Sequence, residues 1–277
     1  MMRFLITGIG GPAGIALANQ LVPLGHEVCG VDVAAIDNPK LTSFDTVPDA
    51  TDPKMIDSLV ELLTTHDIDV VIPTVADELA VVSANKDRFG DTPVIIGDQE
   101  PVTYAHDKYF TMQQLHTHHV PVPRFALPSD FASLATALEA FGGTFVLKPR
   151  VGRGGRGFQV VTAETELDWS TVDDSMIIQE FAPGAEYCPN VYAKTSEDSV
   201  VVVLEKHDPT SITRADAPEV AEVARQAVAA MGLTGPVDID IRFTTANTPV
   251  VLEVNARFGA NSEQAPEILR NVLAELT

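Results

Sequence analysis

The chain contains 277 residues, of which 45% are hydrophobic, and this length indicates two or three compact lobes that each bury a core. Its 39 acidic and 18 basic residues give a net charge of −21, which argues against nucleic acid or an anionic membrane surface as a partner. With two cysteines, no apolar run of about 20 residues and no signal-peptide pattern, the sequence excludes a disulfide framework, a cysteine-rich zinc site and a membrane span, and it predicts a reduced, cytoplasmic setting.

The first hundred residues predict strands that alternate with helices. Four strands are predicted, at MRFLITGIG, HEVCGVD, DVVIPTV and TPVIIG. The helices between them are predicted at PAGIALANQLVPLG, PKMIDSLVELLTTHD and DELAVVSANKDRFG. Helices of this length between strands are typical of parallel pairing with right-handed crossovers. We therefore expect a doubly wound parallel α/β lobe over residues 1–103.

The pattern changes from residue 104 onward. A helix at DKYFTMQQLHTHH leads into VPVPRFAL, whose prolines favour an extended path. Strands at TFVLKPR and GFQVVTA flank a glycine-rich loop, which favours an antiparallel hairpin. Five more strands are predicted at SMIIQEF, YCPNVYAKT, SVVVVLEK, VDIDIRF and PVVLEVNAR. Residues 104–277 are therefore expected to form a second unit.

A glycine turn follows the first strand and satisfies the pattern G-x-G-x-x-A, and Asp32 ends the second strand. This combination resembles a dinucleotide-binding fingerprint, in which helix amides face a pyrophosphate and an acid binds the ribose. Tyr104 and Lys108 also form the Y-x-x-x-K pair that short-chain dehydrogenases use for proton transfer. However, that tyrosine normally lies further along the chain, and any doubly wound sheet needs a tight turn here. We favour a structural or substrate-binding turn and keep an NAD-dependent dehydrogenase or epimerase as an alternative.

The glycine-rich loop holds four of the 18 basic residues within nine positions: Lys148, Arg150, Arg153 and Arg156. Glycines allow backbone amides to approach phosphate oxygens closely, and a lysine on the preceding strand adds a fixed charge. In so acidic a chain, this concentration of cations predicts phosphate binding rather than a plain solvated hairpin.

Polar side chains interrupt two strands near the end of the chain. Strand periodicity places Asp238 and Asp240 on one face of the first, and Glu253, Asn255 and Arg257 on one face of the second. Such residues are costly in an apolar strand unless they have partners. Hard oxygen ligands on adjacent strands suit Mg²⁺ that bridges a triphosphate. The alternative is an exposed sheet face.

Taken together, these motifs resemble the ATP-grasp superfamily over nearly the whole chain. A D-K-Y helix that leads to V-P-x-P, an L-K-P strand with a glycine loop, Q-E-F and E-V-N-x-R occur in the family's order. Within the family, the motifs resemble those of the carbamoyl phosphate synthetase large subunit and of the small stand-alone carboxylate–amine ligases similar to it. The resemblance implies an α+β fold, with the N-terminal doubly wound lobe followed by a two-lobed antiparallel ATP-grasp unit. Its small lobe would cover about 104–178 and its large lobe about 179–277.

The resemblance also implies a nucleotide site assembled from several stretches of the chain. It places Lys108 and Lys148 on the ATP phosphates, Gly154, Gly155 and Gly157 in a flap over them, Glu180 and Phe181 at an adenine hinge, and Glu186 on the ribose hydroxyls. It makes Asp240, Glu253 and Asn255 the ligands of Mg²⁺ or Mn²⁺. Arg257 and Lys148 are the catalytic candidates, with Arg257 on the γ-phosphate or the acyl phosphate.

The implied chemistry is phosphorylation of a small-molecule carboxylate by Mg-ATP, followed by attack of an amine on the acyl phosphate. The acceptor candidates in the N-terminal lobe are Gly10, Gly11, Asp77 and Glu78, although the two acids could simply cap the next helix. The segment between SVVVVLEK and the following helix is shorter than in the family, so His207 or Arg214 is expected to supply its contact. A catalytically lapsed or partner-dependent module stays an alternative, and so does assembly as a homodimer or with a partner chain.

Overall fold

Three sheets organise residues 1–152, 154–195, 198–208 and 211–277, which are the residues that this computed structural model describes. The elements of the N-terminal lobe are β1 (Arg3–Ile6), α1 (Pro12–Leu21), β2 (Glu27–Asp32), β3 (Ser43–Thr46), α2 (Met55–Thr65), β4 (Val70–Ile72), α3 (Ala76–Ala84) and α4 (Gln99–His106). The four strands pair in the order β3-β2-β1-β4, and every pairing is parallel. This confirms the predicted doubly wound lobe.

After Arg3, strand β1 is apolar because both faces of its sheet are covered. Leu5 packs into a core on one face with side chains of α2, including Leu59. Phe4 and Ile6 point the other way, into a core shared with Leu17 of α1. The glycine turn follows β1 directly, so it lies at the carboxyl edge of this sheet, beside the second unit.

A small antiparallel sheet follows. Its elements are α5 (Lys108–Thr117), β5 (Phe125–Ala126), α6 (Leu134–Ala140), β6 (Phe145–Pro149), β7 (Gln159–Val161) and β8 (Met176–Glu180), with strand order β5-β8-β6-β7. Strands β6 and β7 pair antiparallel on either side of the glycine-rich loop, as predicted. The pairing of these two strands thus fixes both ends of the glycine-rich loop.

A larger antiparallel sheet completes the chain. Its elements are β9 (Glu186–Tyr187), β10 (Asn190–Ala193), β11 (Ser199–Val202), β12 (Leu204–Asp208), β13 (Ser211–Arg214), α7 (Pro218–Met231), β14 (Gly235–Phe243), β15 (Pro249–Asn255) and α8 (Pro266–Glu275). The strand order is β11-β10-β14-β9-β12-β13, and β15 also pairs with β14. Parallel and antiparallel sheets in this arrangement confirm the predicted fold class.

Several strand predictions need correction. The segment TPVIIG contributes only an isolated bridge between Val71 and Val94, and β3 was not predicted because its half-buried residues lack an apolar pattern. YCPNVYAKT divides into β9 and β10, and SVVVVLEK divides into β11 and β12. Within a continuous apolar run, the sequence does not mark where one strand ends and the next strand, which pairs with a different neighbour, begins. The unpredicted β13 then returns antiparallel to β12, within the segment expected to be a short connection.

The predicted domain boundary between residues 103 and 104 falls inside α4, and it stays a prediction. Across the described parts of the chain, we find no helix with the length and apolar character needed to cross a bilayer.

We expect Phe145→Ala to destabilise the small lobe by about 3–5 kcal/mol, because it empties the centre of an aromatic core. Phe145 is fully buried, and its ring centroid lies 5.9 Å from that of Phe141 and 6.4 Å from that of Trp169. Urea unfolding followed by the fluorescence of Trp169, the chain's single tryptophan, measures the loss directly. Phe158→Ala removes a ring that is 52% exposed and is the matched control. Equal losses in the two variants would contradict this account of the core.

Candidate active site

Two cavities meet at the glycine-rich loop. The smaller, of about 260 Å³, lies between β6 and the β14–β15 pair, and its charged lining consists of Lys108, Lys148, Arg156, Glu186, Lys206, Asp240, Arg242 and Glu253. The larger, of about 630 Å³, lies between the glycine turn of the N-terminal lobe and the segment that follows β15. Gly155 lines the smaller cavity, Gly154 lines the larger, and Arg156 lines both. The loop therefore separates the two spaces.

Two buried lysines converge on the smaller cavity. Lys148, on β6, donates from Nζ to the carbonyl oxygen of Leu252, 3.1 Å away. Burial lowers the pKa of Lys148 to about 8, although the charge of Glu253 acts to raise it. Lys108, at the start of α5, lies 3.2 Å from Oε1 of Glu253 and donates to the carbonyl of Gly152. The two lysines that were predicted to contact the ATP phosphates thus lie in the same cavity.

The predicted metal ligands lie on the adjacent strands β14 and β15. The register places Asp240 opposite Glu253, and Asp238 opposite Asn255. Asp240 and Glu253 line the smaller cavity, and Asn255 lies beside Glu253 in a narrow adjoining space. The described residues include no group of three His, Cys, Asp or Glu side chains placed to hold a metal ion. An ion held by two carboxylates and an amide would take its other ligands from phosphate oxygens or water.

Asp238, two residues before Asp240 on the same face of β14, is buried. Its Oδ1 accepts a hydrogen bond from the Sγ of Cys188 at 3.0 Å, and its Oδ2 lies 3.7 Å from Nη1 of Arg257. Burial raises the pKa of Asp238, and the charge of Asp240 raises it further. Arg257 also donates to the carbonyl of Phe258 at 2.8 Å, so its guanidinium is fixed at the wall of the larger cavity.

Sequence reasoning missed Lys206 and Arg242. Lys206, on β12, lies 2.9 Å from Oε1 of Glu186 and 2.7 Å from Oδ1 of Asp240. Burial alone would lower the pKa of Lys206, but these carboxylates raise it above its ordinary value. Nε of Arg242 lies 3.3 Å from Oε2 of Glu186. The alternation in VDIDIRF could have identified Arg242, whereas the position of Lys206 depends on long-range pairing of β12 with β9.

Among the loop cations, Arg150 has a structural role. Its guanidinium binds both carboxylate oxygens of Asp107, with distances of 2.7 Å and 3.1 Å, and packs over the rings of Tyr109 and Phe110. Of the described cations in the loop, Lys148 and Arg156 line a cavity. Arg153 lies outside the described residues.

Glu180 lies at the end of β8, away from the described lining of both cavities. Arg124 donates to its two carboxylate oxygens at 3.1 Å and 3.2 Å, and this contact lowers the pKa of Glu180. Phe181, the next residue, is not part of that lining either. The adenine-hinge role of both residues stays a prediction.

The glycine turn lines the larger cavity, but its contacts are structural. Asp32 accepts from the backbone amides of Gly10 and Val33, at 3.0 Å and 2.8 Å. A Cβ on Gly14 would lie 2.6 Å from the carbonyl oxygen of Gly8, so close packing of the turn requires glycine. Lys108 of the Y-x-x-x-K pattern faces the other cavity. A dehydrogenase would need the turn and this lysine in one site.

The acceptor candidates divide into two groups. Gly10, Gly11, Asp77 and Glu78 all line the larger cavity. Glu78 also accepts through Oε1 from the amides of Thr74 and Val75, at 3.1 Å and 3.0 Å, and from the hydroxyl of Thr7. It therefore caps the start of α3, and a substrate role for it stays a prediction.

His207 and Arg214 are absent from the described lining of both cavities. Both lie on the β12–β13 hairpin, where His207 contacts the hydroxyl of Thr213 at 2.8 Å. Arg214 forms a bidentate ion pair with Glu267 of α8, at 2.8 Å and 2.6 Å. The hairpin gives both side chains other partners, and the acceptor contact expected of them stays a prediction.

Comparisons with known proteins place this geometry in context. A family model described as the ATP-grasp domain matches residues 105–261. The chain is 26% identical over 191 residues to the uncharacterized protein y4rH of Sinorhizobium fredii, an alignment that covers 60% of this chain and 39% of that protein. The chain therefore spans about two fifths of the length of that relative.

Solved structures share the fold. The L-amino acid ligase from Bacillus licheniformis has a TM-score of 0.73 at 16% identity, covering 95% of this chain and 69% of that chain. N5-carboxyaminoimidazole ribonucleotide synthetase from Thermotoga maritima has a TM-score of 0.67 at 20% identity, covering 93% and 69%. Biotin carboxylase from Campylobacter jejuni has a TM-score of 0.70 at 15% identity, covering 96% and 68%.

We expect Glu78→Leu to lower the free energy of unfolding by about 1–3 kcal/mol for each backbone amide that loses its acceptor. Glu78→Gln keeps an acceptor oxygen and is expected to lose less. Urea unfolding of the two variants and the wild type measures the difference. Unchanged stability of the leucine variant would show that this carboxylate is not a structural cap.

Proposed function

The chain belongs to the ATP-grasp family, and from that premise we propose that it is an ATP-dependent carboxylate–amine ligase. The γ-phosphate of ATP passes to a carboxylate oxygen to form an acyl phosphate and ADP. An amine then attacks the acyl carbon, the carbon–nitrogen bond forms, the amine loses a proton and phosphate leaves. The substrates are a small-molecule carboxylate and a small-molecule amine.

One observation carries the proposal: Lys108, Lys148 and Glu253 converge in the cavity beside the glycine-rich loop. Two lysines held away from bulk water interact strongly with a triphosphate, because screening is weak there. Phosphoryl transfer needs positioning and charge neutralisation rather than a protein nucleophile. In this proposal Gly154, Gly155 and Gly157 cover the phosphates, Glu186 binds the ribose hydroxyls, and Glu180 and Phe181 adjoin the adenine.

The same cavity suits a divalent cation. Asp240 and Glu253 are partly exposed to it, and the Asn255 amide lies alongside, so the donors are the hard oxygens that Mg²⁺ or Mn²⁺ prefers. Bound there, the ion would neutralise phosphate charge. Glu253 is paired with Lys108, and a phosphate partner for Lys108 would free that carboxylate.

Arg257 supports placement of the carboxylate substrate in the larger cavity. Its guanidinium is fixed by the carbonyl of Phe258 and approaches Asp238, and it lines the same space as Gly10, Gly11 and Asp77. We propose that Arg257 binds the transferred phosphate, next to Arg156 where the two cavities meet. The cytoplasmic setting and the similarity to carbamoyl phosphate synthetase belong to the same proposal and rest on the sequence.

Thermal unfolding with Mg-ATP, with ATP plus a chelator and with NAD(H) tests the proposal. Ligand at about 100 times its dissociation constant adds roughly 2.7 kcal/mol, a shift of several degrees. We expect a rise with Mg-ATP that the chelator removes. A rise with NAD(H) alone would overturn the ligase proposal. Binding of Mg-ATP with no ADP release from any carboxylate–amine pair would instead favour a lapsed or partner-dependent module.

Glu253→Gln is expected to abolish the magnesium dependence of nucleotide binding, because it removes a hard anionic ligand while keeping the side chain's size. Calorimetric titration of ATP with and without Mg²⁺ measures the effect. Glu222→Gln, on the exposed face of α7, is the matched control. If both variants keep the magnesium dependence of the wild type, the metal assignment of Glu253 fails.

A further inference from the structure

Lys206 occupies an unusual position in the smaller cavity. Its ammonium lies between two carboxylates from different strands, 2.9 Å from Glu186 and 2.7 Å from Asp240. Asp240 is also one of the proposed metal ligands. The ammonium of Lys206 therefore neutralises one carboxylate oxygen of that proposed ligand.

The sheet register fixes this arrangement. Strand β9 pairs with β12 so that Glu186 lies opposite Lys206, and β9 also pairs with β14 so that Glu186 lies opposite Arg242. Asp240 precedes Arg242 by two residues on β14 and so shares its face. Four charged side chains from three strands consequently form one row on the wall of the cavity.

Two carboxylates that converge within hydrogen-bond distance of one point also make a favourable position for a divalent ion. Here the ammonium of Lys206 fills that point, and Arg242 neutralises the second oxygen of Glu186. A metal ion could enter between Glu186 and Asp240 only by displacing the lysine. On the opposite side, Lys108 pairs with the single carboxylate of Glu253, at 3.2 Å, and does not bridge two carboxylates.

The charge balance of the cavity leads to the same conclusion. Among the described lining residues, five carry positive charge and three carry negative charge, a surplus of two positive charges. One dianionic Mg·ATP complex neutralises that surplus. A second divalent ion, as in two-metal phosphoryl-transfer sites, would leave it uncompensated.

We propose that Lys206 is a built-in cation that takes the place of a second metal ion, so that the site binds one divalent ion per nucleotide. This inference rests on the proposed function. Lys206 acts as a positioning residue: it holds Oδ1 of Asp240 and Oε1 of Glu186, so that the single ion is held by Glu253, Asn255 and the other oxygen of Asp240.

Electron paramagnetic resonance of free Mn²⁺ tests the proposal by counting bound ions. A non-hydrolysable ATP analogue is saturated with excess wild-type protein, so that all of it is bound, and Mn²⁺ is titrated in. We expect one Mn²⁺ per nucleotide. Two Mn²⁺ per nucleotide in the wild type would overturn the inference, and this count requires no variant.

Lys206→Met removes the charge while keeping most of the length of the side chain, and we expect the count to double to two Mn²⁺ per nucleotide. A count of one in this variant overturns the inference, whatever the nucleotide affinity. Lys206→Gln replaces it if the methionine variant does not fold. Lys194→Met neutralises an exposed lysine beyond β10 and is expected to keep the wild-type count.

Failure of the proposed function and failure of the role of Lys206 give different results in this experiment. If calorimetry detects no binding of the analogue with Mn²⁺ or Mg²⁺, the proposed function fails and the inference fails with it. If the analogue binds with two ions, the proposed function stands and only the role of Lys206 is wrong.

Discussion

The pairing of β14 with its neighbours is the constraint on which the site depends. This nine-residue strand pairs with β15 along one edge and with β10 and β9 along the other. Its alternate residues Val237, Ile239 and Ile241 are buried in the main core. The intervening residues Asp238, Asp240 and Arg242 are thereby forced to the opposite face. Apolar burial of one face holds in place charges that would otherwise avoid a protein interior.

Cations from several surrounding elements contact β14 and β15. Lys206 of β12 pairs with Asp240, and Arg257 after β15 approaches Asp238. Lys108 of α5 pairs with Glu253 of β15, and Lys148 of β6 donates to the carbonyl of Leu252. Isolated buried charges are strongly unfavourable, and removing one member of such a pair leaves the other uncompensated. The small and large lobes are thus joined at this cavity by polar contacts. Asp107 and Arg150 add a further link between α5 and the end of β6.

How much the sequence could predict depends on the range of the interaction. Lys108, Lys148 and Glu253 were identified because each belongs to a motif with its own local pattern, and they do meet in one cavity. Arg150 was assigned to phosphate because loop composition does not show a partner 43 residues earlier.

The hairpin of β12 and β13 escaped prediction for the same physical reason. Its strands are short, partly exposed and without apolar alternation, so only their pairing with distant strands defines them. His207 and Arg214 were therefore expected in the site, whereas Lys206 was not. Local periodicity predicts which face a residue occupies, but the neighbour of a strand is decided by long-range contacts.

The cluster of cations in the smaller cavity has a consequence for the kinetics of capture. The chain as a whole carries a charge of −21, so an anionic nucleotide at long range meets repulsion, and it meets attraction only near the cavity. Salt shortens the reach of the outer field from about 10 Å at 0.1 M to about 3 Å at 1 M, while buried charges are screened much less. Salt therefore weakens the long-range repulsion between the chain and the nucleotide more than it weakens the attraction inside the cavity. Association becomes faster in concentrated salt, which is the reverse of ordinary electrostatic steering.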